Sequence, residues 1–277
     1  MSKQFIKNRQ NQNVSVVVEK QTGSQNTGIV FVGHGLSGNK EQPHVVAIAD
    51  VLKQAGYVVV TWDATNSPGE SDGNPEDATV TNFLEDMESV IEWSKTQPWY
   101  TEPFVVCGHS LGGICSLLYA EQHPEEVKAL LLLSSVISGE LSLEAYGTDA
   151  IKEWREKDFY NIGTTTSGEP IPVRWKHMED RLQYDALKDT SALTMPVLMI
   201  SGSEDNRALP EHQKILFNRL PSDKKELKTI EGSGHVFEST EEITKLCNIV
   251  SEWAENVLND EHTREVVEVK PPHIKLR

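Results

Sequence analysis

The stretch that decides the fold reads Phe104-Val105-Val106-Cys107-Gly108-His109-Ser110-Leu111-Gly112-Gly113. An apolar run that favours a β-strand leads into Gly-x-Ser-x-Gly, and a pattern typical of a helix follows. This order predicts a sharp strand-to-helix turn that exposes the hydroxyl of Ser110. Such a turn is crowded, and Gly108 and Gly112 have no side chains that would clash there. The helix directs its first N–H groups toward Ser110. We therefore expect Ser110 to be a nucleophile; a turn that merely needs glycines is the alternative.

Apolar, β-branched runs alternate with helical patterns along the chain, which predicts an α/β fold with a mostly parallel, doubly wound sheet. The predicted strands are residues 14–18, 29–32, 57–62, 104–107, 129–133, 196–200 and 227–230. The predicted helices are residues 43–55, 80–95, 111–122, 211–220 and 241–258. Strands that are apolar throughout indicate a sheet buried on both faces. Ligands of such sheets bind beyond the carboxyl ends of the strands.

The alternation stops between residues 138 and 190, which predicts a small cap inserted into the α/β core. The core then consists of residues 1–137 and 191–258, and a charged C-terminal tail of residues 259–277 follows. Aromatic residues are frequent in the cap, and we predict that three of them line a substrate pocket: Trp154, Tyr160 and Trp175. Packing of these rings against the main domain is the alternative.

The tail contains an apolar stretch at residues 266–269 that would suit an added edge strand or a dimer contact. A solvated tail is the interpretation that its charged composition favours. A homodimer therefore stays one possible assembly.

The composition excludes several classes of protein. A net charge of −16 argues against binding to nucleic acids or anionic membranes. The N-terminal segment lacks the apolar region of a secretory signal, and no apolar run is long enough to span a bilayer. Cys107, Cys115 and Cys247 do not follow a metal-binding spacing, so we expect reduced thiols and a cytoplasmic protein.

A serine hydroxyl is a weak nucleophile at neutral pH, so it needs a base, and the base needs an acid that orients it. Asp205 follows the predicted strand at residues 196–200 and is the preferred acid, with Glu204 as the competing candidate. Capping of the next helix is the alternative role for Asp205. His235 follows the last predicted strand in a glycine-rich turn. The order Ser110, Asp205, His235 is that of one class of catalytic triad.

The other histidines carry less information. The chain has nine, and we expect most of them on the surface. His109 is interpreted as the variable residue inside the Gly-x-Ser-x-Gly turn.

An oxyanion formed at Ser110 needs two hydrogen-bond donors. The N–H of Leu111 is one, because it follows the nucleophile. We assign the N–H of Leu36 as the second, since it lies in a glycine-rich loop directly after the strand at residues 29–32. That loop has neither the Walker spacing nor the dinucleotide-binding spacing, so we expect no phosphate cofactor there.

These motifs resemble the α/β-hydrolase superfamily over nearly the whole chain, from about residue 14 to residue 258. The matching residues are His34-Gly35, Gly108-His109-Ser110-Leu111-Gly112, Asp205 and His235. The chain is most similar to small feruloyl-esterase-like and monoacylglycerol-lipase-like hydrolases, a group often labelled serine aminopeptidase-like. The resemblance implies a compact cap between the sixth strand and the strand that carries the acid. It also implies a structural loop at residues 63–71, where Ser67-Pro68 replaces the usual Gly-His pair.

We therefore expect a serine hydrolase that cleaves small-molecule carboxylic esters through an acyl-enzyme intermediate, without a metal or cofactor. A serine aminopeptidase or amidase is an alternative, in which Glu140, Glu144 and Asp149 would hold the substrate amine. A thioesterase would use the same triad. A non-catalytic ligand receptor or scaffold on this fold is the remote alternative.

Overall fold

The computed structural model describes residues 2–21, 27–164 and 168–258. In these ranges the chain forms ten strands: β1 (Ser2–Lys7), β2 (Asn13–Glu19), β3 (Gly28–Gly33), β4 (Tyr57–Trp62), β5 (Phe104–His109), β6 (Val127–Leu133), β7 (Phe159–Thr164), β8 (Pro170–Arg174), β9 (Val197–Gly202) and β10 (Lys225–Ile230). The same ranges contain eight α-helices: α1 (Pro43–Gln54), α2 (Val80–Ser94), α3 (Leu111–Gln122), α4 (Gly139–Tyr146), α5 (Thr148–Lys157), α6 (Lys176–Arg181), α7 (Pro210–Arg219) and α8 (Thr240–Trp253). A 3-10 turn at Pro75–Asp77 precedes α2, and a π-helical turn at Ala254–Leu258 continues α8.

Eight of the strands form one sheet in the order β1-β2-β4-β3-β5-β6-β9-β10. The pairs β1–β2 and β2–β4 are antiparallel, and all the other neighbours are parallel. The predicted α/β fold with a mostly parallel sheet is therefore confirmed. The parallel arrangement places the carboxyl ends of β3, β5, β6 and β9 along one edge of the sheet.

The core lies on both faces of this sheet. Strands β3, β4, β5 and β9 are buried along their whole length, as their continuous apolar composition predicts. Successive side chains of a strand point to opposite faces. Phe31 accordingly packs in the layer of α2 and α3, whereas Val32 packs in the layer of α1 and α8. Polar functional groups therefore have room only at the ends of these strands.

Residues between β6 and β9 form a separate cluster of short elements. They comprise α4, α5, α6 and the antiparallel pair β7–β8. Their buried side chains form an apolar cluster of their own: Trp154, Ile162, Ile171, Val173, Trp175 and Met178. The sequence predicted none of these elements, because the alternation of strands and helices stops at residue 138 and the elements that follow are short. The division of the chain into core and cap stays a prediction.

Strand β1 was also missed in the sequence. Five of its six residues are exposed, so it has no apolar run, and only backbone pairing with β2 identifies it as a strand. The predicted C-terminal tail, residues 259–277, lies outside the described residues. No helix in the described ranges combines the length and the apolar composition that a membrane crossing requires.

The three cysteines lie apart from one another. Cys107 and Cys115 are buried, Cys247 is half-buried, and none of these described residues forms a disulfide. Burial raises the pKa of the Cys107 and Cys115 thiols above the ordinary value, so both stay protonated at neutral pH.

Candidate active site

Ser110 occupies the sharp turn between β5 and α3. Its φ of +52° lies in the left-handed region, which is strained for a residue with a side chain. Two backbone hydrogen bonds hold it there: its N–H donates to the Leu133 carbonyl at 2.9 Å, and its carbonyl accepts from the Val136 N–H at 3.0 Å. A Cβ at Gly112 would lie 2.7 Å from the Gly33 carbonyl oxygen, so glycine is required where α3 passes β3.

His235 joins Ser110 to Asp205. The Ser110 hydroxyl donates to Nε2 of His235 at 2.9 Å, and Nδ1 of His235 donates to both carboxylate oxygens of Asp205 at 3.0 Å. The carboxylate at Nδ1 favours the tautomer that leaves Nε2 free to accept a proton. Three residues that lie far apart in sequence thus form one continuous chain of hydrogen bonds at the carboxyl edge of the sheet.

Asp205 is held as an anion. Burial raises the pKa of this carboxyl, but the hydrogen bond and charge of His235 and the N–H groups of Ala208 and Arg207 outweigh that effect. The resulting pKa lies below the ordinary value. Both N–H groups donate to Oδ1 at 2.9 Å.

Glu204, the competing candidate, has an exposed side chain. Its backbone N–H donates to the Ser233 carbonyl at 2.9 Å and so ties the loop after β9 to the loop that carries His235. Of the two acids, the structure brings Asp205 to His235.

The loop after β3 lies directly against Ser110. A Cβ at Gly35 would be 2.9 Å from the Cβ of Ser110, so the backbone of this loop passes at van der Waals distance. Leu36 lies next in this loop, and Leu111 is the first residue of α3. In the part of the chain that the structure describes, neither of their N–H groups donates to another residue. Both are therefore available to a ligand beside Ser110.

Two hydrogen bonds of the His34 ring hold this loop in place. Nδ1 of His34 donates to the Gly35 carbonyl at 2.8 Å, and Nε2 accepts from the Ala64 N–H at 3.0 Å. Burial lowers the pKa of His34, so the ring stays neutral and both bonds persist.

A buried ion pair ties the same loop to residues 63–71. Lys40 donates through Nζ to Asp63 at 2.6 Å and through its backbone N–H at 2.8 Å. Asp63 also accepts from the Glu70 N–H, and Lys40 Nζ reaches the Glu70 carboxylate at 2.8 Å. A structural role for residues 63–71 was expected only from the resemblance, and this network shows how these residues hold the loop after β3.

Many histidines are buried, and this corrects the expectation that most histidines lie on the surface. Five of the nine are buried: His34, His44, His109, His177 and His212. His109 donates through Nε2 to the carbonyl of His235 at 3.0 Å, so it positions the loop of that residue rather than being merely a variable residue in the turn. Its ring contacts that of His44, with centroids 4.3 Å apart. Burial lowers the pKa of His109 well below the ordinary value and that of His44 to about 3.

A cavity of about 460 Å³ opens beside Ser110. The core contributes Leu36, Ser110 and His235 to its wall, and the segment between β6 and β9 contributes Tyr146, Ile162 and Arg181. Arg207, two residues after Asp205, completes this wall. Sequence reasoning missed Arg181 and Arg207, and no motif marks them.

The three aromatic residues predicted to bind substrate lie elsewhere. None of these described residues lines the cavity. Trp154 is fully buried, stacks on Tyr160 and donates to the Val173 carbonyl at 2.9 Å. Trp175 donates to Glu179 at 3.0 Å. These rings pack with one another in the apolar cluster of the segment between β6 and β9, rather than mainly against the core of the large sheet.

The acids proposed to hold an amine are also absent from the described wall of the cavity, since Glu140, Glu144 and Asp149 do not line it. Glu144 instead lies 3.4 Å from His212. A group of potential metal ligands, His123, Glu125 and Glu126, does not line the cavity either, and Glu126 already binds Lys95 and Tyr119.

Comparison with known proteins identifies the family. A family model described as serine aminopeptidase, S33, matches residues 24–173 and 164–241. The chain belongs to this family. Its fold is that of the α/β-hydrolases: it superposes with a TM-score of 0.78 on Est1E from Butyrivibrio proteoclasticus, a structure with bound ferulic acid. That likeness covers 92% of this chain and 99% of the other at 20% identity, so it concerns the fold.

Two curated relatives share part of the sequence. The mitochondrial palmitoyl-protein thioesterase ABHD10 of Rattus norvegicus is 25% identical over 198 residues, which are 71% of this chain and 64% of the relative. The monoglyceride lipase of Rattus norvegicus is 25% identical over 234 residues, 75% of each chain. The matched region thus spans slightly less than two thirds of the thioesterase. By their names, the first of these relatives acts on a thioester and the second on an ester.

Proposed function

We propose that this protein is a serine hydrolase of carboxylic esters. The observation that carries the proposal is the continuous chain of hydrogen bonds from Ser110 through His235 to Asp205, which ends at a cavity. Leu36 and Leu111, whose N–H groups donate to no other described residue, belong to the two segments that adjoin Ser110. A nucleophile, a base, an acid and two oxyanion donors are the parts that acyl transfer requires.

In the proposed mechanism, Ser110 Oγ attacks the ester carbonyl while His235 Nε2 takes its proton. Asp205 holds the imidazole in the required tautomer and stabilises the imidazolium. The N–H groups of Leu36 and Leu111 stabilise the tetrahedral oxyanion, and removal of one such donor typically costs about 3 kcal/mol. The imidazolium then protonates the leaving alcohol, and an acyl-Ser110 ester remains. Water, activated by His235, hydrolyses that ester and regenerates the hydroxyl.

The charges around the cavity favour esters over peptides with a free amine. An aminopeptidase needs a negative group to bind the ammonium of its substrate, and the acids expected for this task do not line the cavity. Arg181 and Arg207 lie there instead and would repel a cation. The monoglyceride lipase relative supports an ester as well.

A thioester is the second candidate substrate. The palmitoyl-protein thioesterase relative supports it, and the same hydroxyl, base and oxyanion donors would cleave a thioester. A receptor or scaffold is disfavoured, because such a role would not require Ser110, His235 and Asp205 to be aligned. The cytoplasmic location and the homodimer stay predictions.

The test is hydrolysis of 4-nitrophenyl esters from acetate to dodecanoate, methyl ferulate, an acyl-coenzyme A thioester and an aminoacyl anilide. We expect turnover of esters by the wild type and a loss of about 10³-fold or more in Ser110→Ala. Ser116→Ala is the matched control, since this buried serine on α3 donates only to the Gly112 carbonyl. Ester turnover that persists in Ser110→Ala, or cleavage of the anilide alone, would contradict the proposal.

A further inference from the structure

Two arginine side chains face the cavity that contains Ser110. Arg181 ends α6 and is 4% exposed, and Arg207 follows Asp205 by two residues in the loop after β9. They come from different parts of the chain and converge on one wall. The mechanism described above uses neither guanidinium group.

Neither guanidinium forms an ion pair with a carboxylate within the described ranges of the chain, and Asp180, whose charge acts on Arg181, is hydrogen-bonded to Thr81. Arg174, in the same region, has a structural role by contrast, because it forms ion pairs with Glu76, Asp77 and Asp158. Acidic residues outnumber basic ones by 42 to 26, so partners are abundant. The Nε of Arg181 is buried without any acceptor. A buried charge that lacks a partner is costly, and its retention indicates a partner that arrives with a ligand.

Tyr146 lies between the two arginines. It interacts with the guanidinium of Arg181, and the guanidinium carbon of Arg207 is 5.8 Å from the centre of its ring. A phenol neutralises no charge, so the wall stays positive. Glu238 is the acid on the cavity wall, and its side chain is exposed. Burial lowers the pKa of Arg181, yet an arginine remains charged at neutral pH.

We propose that Arg181 and Arg207 bind an anionic group of the substrate, so that the preferred substrate is an ester that also carries a carboxylate or a phosphate. Planar guanidinium groups bind such oxyanions with paired hydrogen bonds. The inference rests on the proposed ester hydrolysis and names its substrate class. In a protein with a net charge of −16, the two guanidinium groups would place positive charge inside the cavity, where it would attract an anion.

The test compares two esters of equal length, mono-4-nitrophenyl glutarate and 4-nitrophenyl pentanoate. We expect the wild type to prefer the anionic ester by about tenfold or more in kcat/KM, mainly through KM. Arg207→Gln should reduce the ratio of the two kcat/KM values by about tenfold. Arg207 is exposed, so this variant avoids the risk of misfolding that attends a change at the buried Arg181.

Two further variants sharpen the result. Arg181→Lys keeps the charge but loses the planar fork, so we expect an intermediate ratio. Arg155→Gln is the matched control, because Arg155 is exposed, lies over the ring of Trp175 and does not line the cavity. It should leave the ratio at the wild-type value. Competition by glutarate and by inorganic phosphate distinguishes a carboxylate site from a phosphate site.

The outcomes separate this inference from the proposed function. Ser110-dependent hydrolysis with no preference for the anionic ester, and no response to Arg207→Gln, would overturn the anion site and leave the hydrolase intact. If folded wild type cleaves neither ester, calorimetric binding of glutarate to Ser110→Ala still decides the anion site. Binding that weakens about tenfold on adding Arg207→Gln supports the site, and equal binding overturns it.

Discussion

The two sides of the cavity differ in how their polar groups are satisfied. On the side of the sheet, Ser110, His235 and Asp205 donate and accept within one chain of hydrogen bonds, and backbone N–H groups hold the carboxylate. The guanidinium groups of Arg181 and Arg207, which we call the arginine side, form no ion pair with an acid in the described part of the chain. The side chains of Ser110, His235 and Asp205 are thus paired without a ligand, whereas the two guanidinium groups would be paired only when the proposed anion binds.

This difference separates the residues proposed to catalyse the reaction from those proposed to select the substrate. A preorganised site acts on any acyl group that reaches it, because its dipoles need no rearrangement. Unpaired charges discriminate among ligands, because an unsuitable ligand leaves them unpaired and desolvated. We therefore expect changes on the sheet side to alter the rate for all substrates, and changes on the arginine side to alter the preference among them.

The largest effect is expected for Asp205→Asn. Without the carboxylate, Nδ1 of His235 loses the acceptor that fixes its tautomer, and the imidazolium loses its counter-charge. We expect kcat to fall by about 10³–10⁴-fold for neutral and anionic esters alike. Rates measured on both esters test the role of Asp205, and they also test the expectation that the sheet side does not select among substrates.

Glu204→Gln is the control for Asp205→Asn, since it removes the adjacent carboxylate from an exposed side chain. It should retain the wild-type rate. A variant at Asp205 that changed the preference for anionic esters, at an unchanged rate, would abolish the distinction between the two sides.

The sheet side was readable from the sequence, and the physical reason is local. A strand buried on both faces must be apolar throughout, and a turn that presents Ser110 must contain glycines at Gly108 and Gly112. Both constraints fall on consecutive residues, so they leave a motif. Asp205 and His235 could be predicted to lie near Ser110, because each follows a strand and parallel strands bring their carboxyl ends to one edge of the sheet.

The arginine side was not readable, because its residues share no local constraint. Arg181 and Arg207 come from different elements, and a basic residue beside polar neighbours resembles any solvated residue. Trp154, Tyr160 and Trp175 were expected at the cavity because they are large and aromatic. These rings instead pack in the apolar cluster of the segment between β6 and β9. The aromatic residue that lines the cavity is Tyr146.

A smaller effect is expected for Asp63→Asn, which tests whether the paired network supports the sheet side. The variant leaves Lys40 buried with Glu70 as its remaining counter-ion. Breaking a buried ion pair from one side typically costs about 3–5 kcal/mol, so we expect a decrease of that order in the free energy of unfolding. Urea denaturation measures it.

Asp50→Asn is the matched control for Asp63→Asn. Asp50 pairs with Lys53 at 2.5 Å on the surface, where removal of an ion pair costs about 1 kcal/mol or less. Equal losses in the two variants would show that burial of the Lys40–Asp63 pair contributes nothing to stability.

The smallest effect is expected for Glu121→Gln on α3, a partly buried acid that, unlike the arginines, lies outside the cavity wall. Burial, and then the charges of Asp189 and Asp185, raise the pKa of Glu121 to about 8, and one carboxyl oxygen is buried without a partner. The folded state therefore binds this proton more tightly than the unfolded state. The stabilisation is complete below the ordinary pKa of about 4.5 and is lost as the pH rises toward 8.

Glutamine carries no proton to lose, so the variant should be about as stable as the wild type at pH 5 and more stable at pH 9. We expect a gain of about 1–3 kcal/mol at pH 9, less than the full shift would give, because part of the side chain keeps contact with water. Urea denaturation at both pH values measures it, with the exposed Glu125→Gln as control for the loss of one charge. Suppose that Glu121→Gln is more stable than the wild type and that Arg207→Gln is less selective for the anionic ester. An unpaired charge outside the cavity then only lowers the free energy of unfolding, whereas an unpaired charge inside the cavity binds a ligand. Equal stability of the variant and the wild type at pH 9 would remove that contrast.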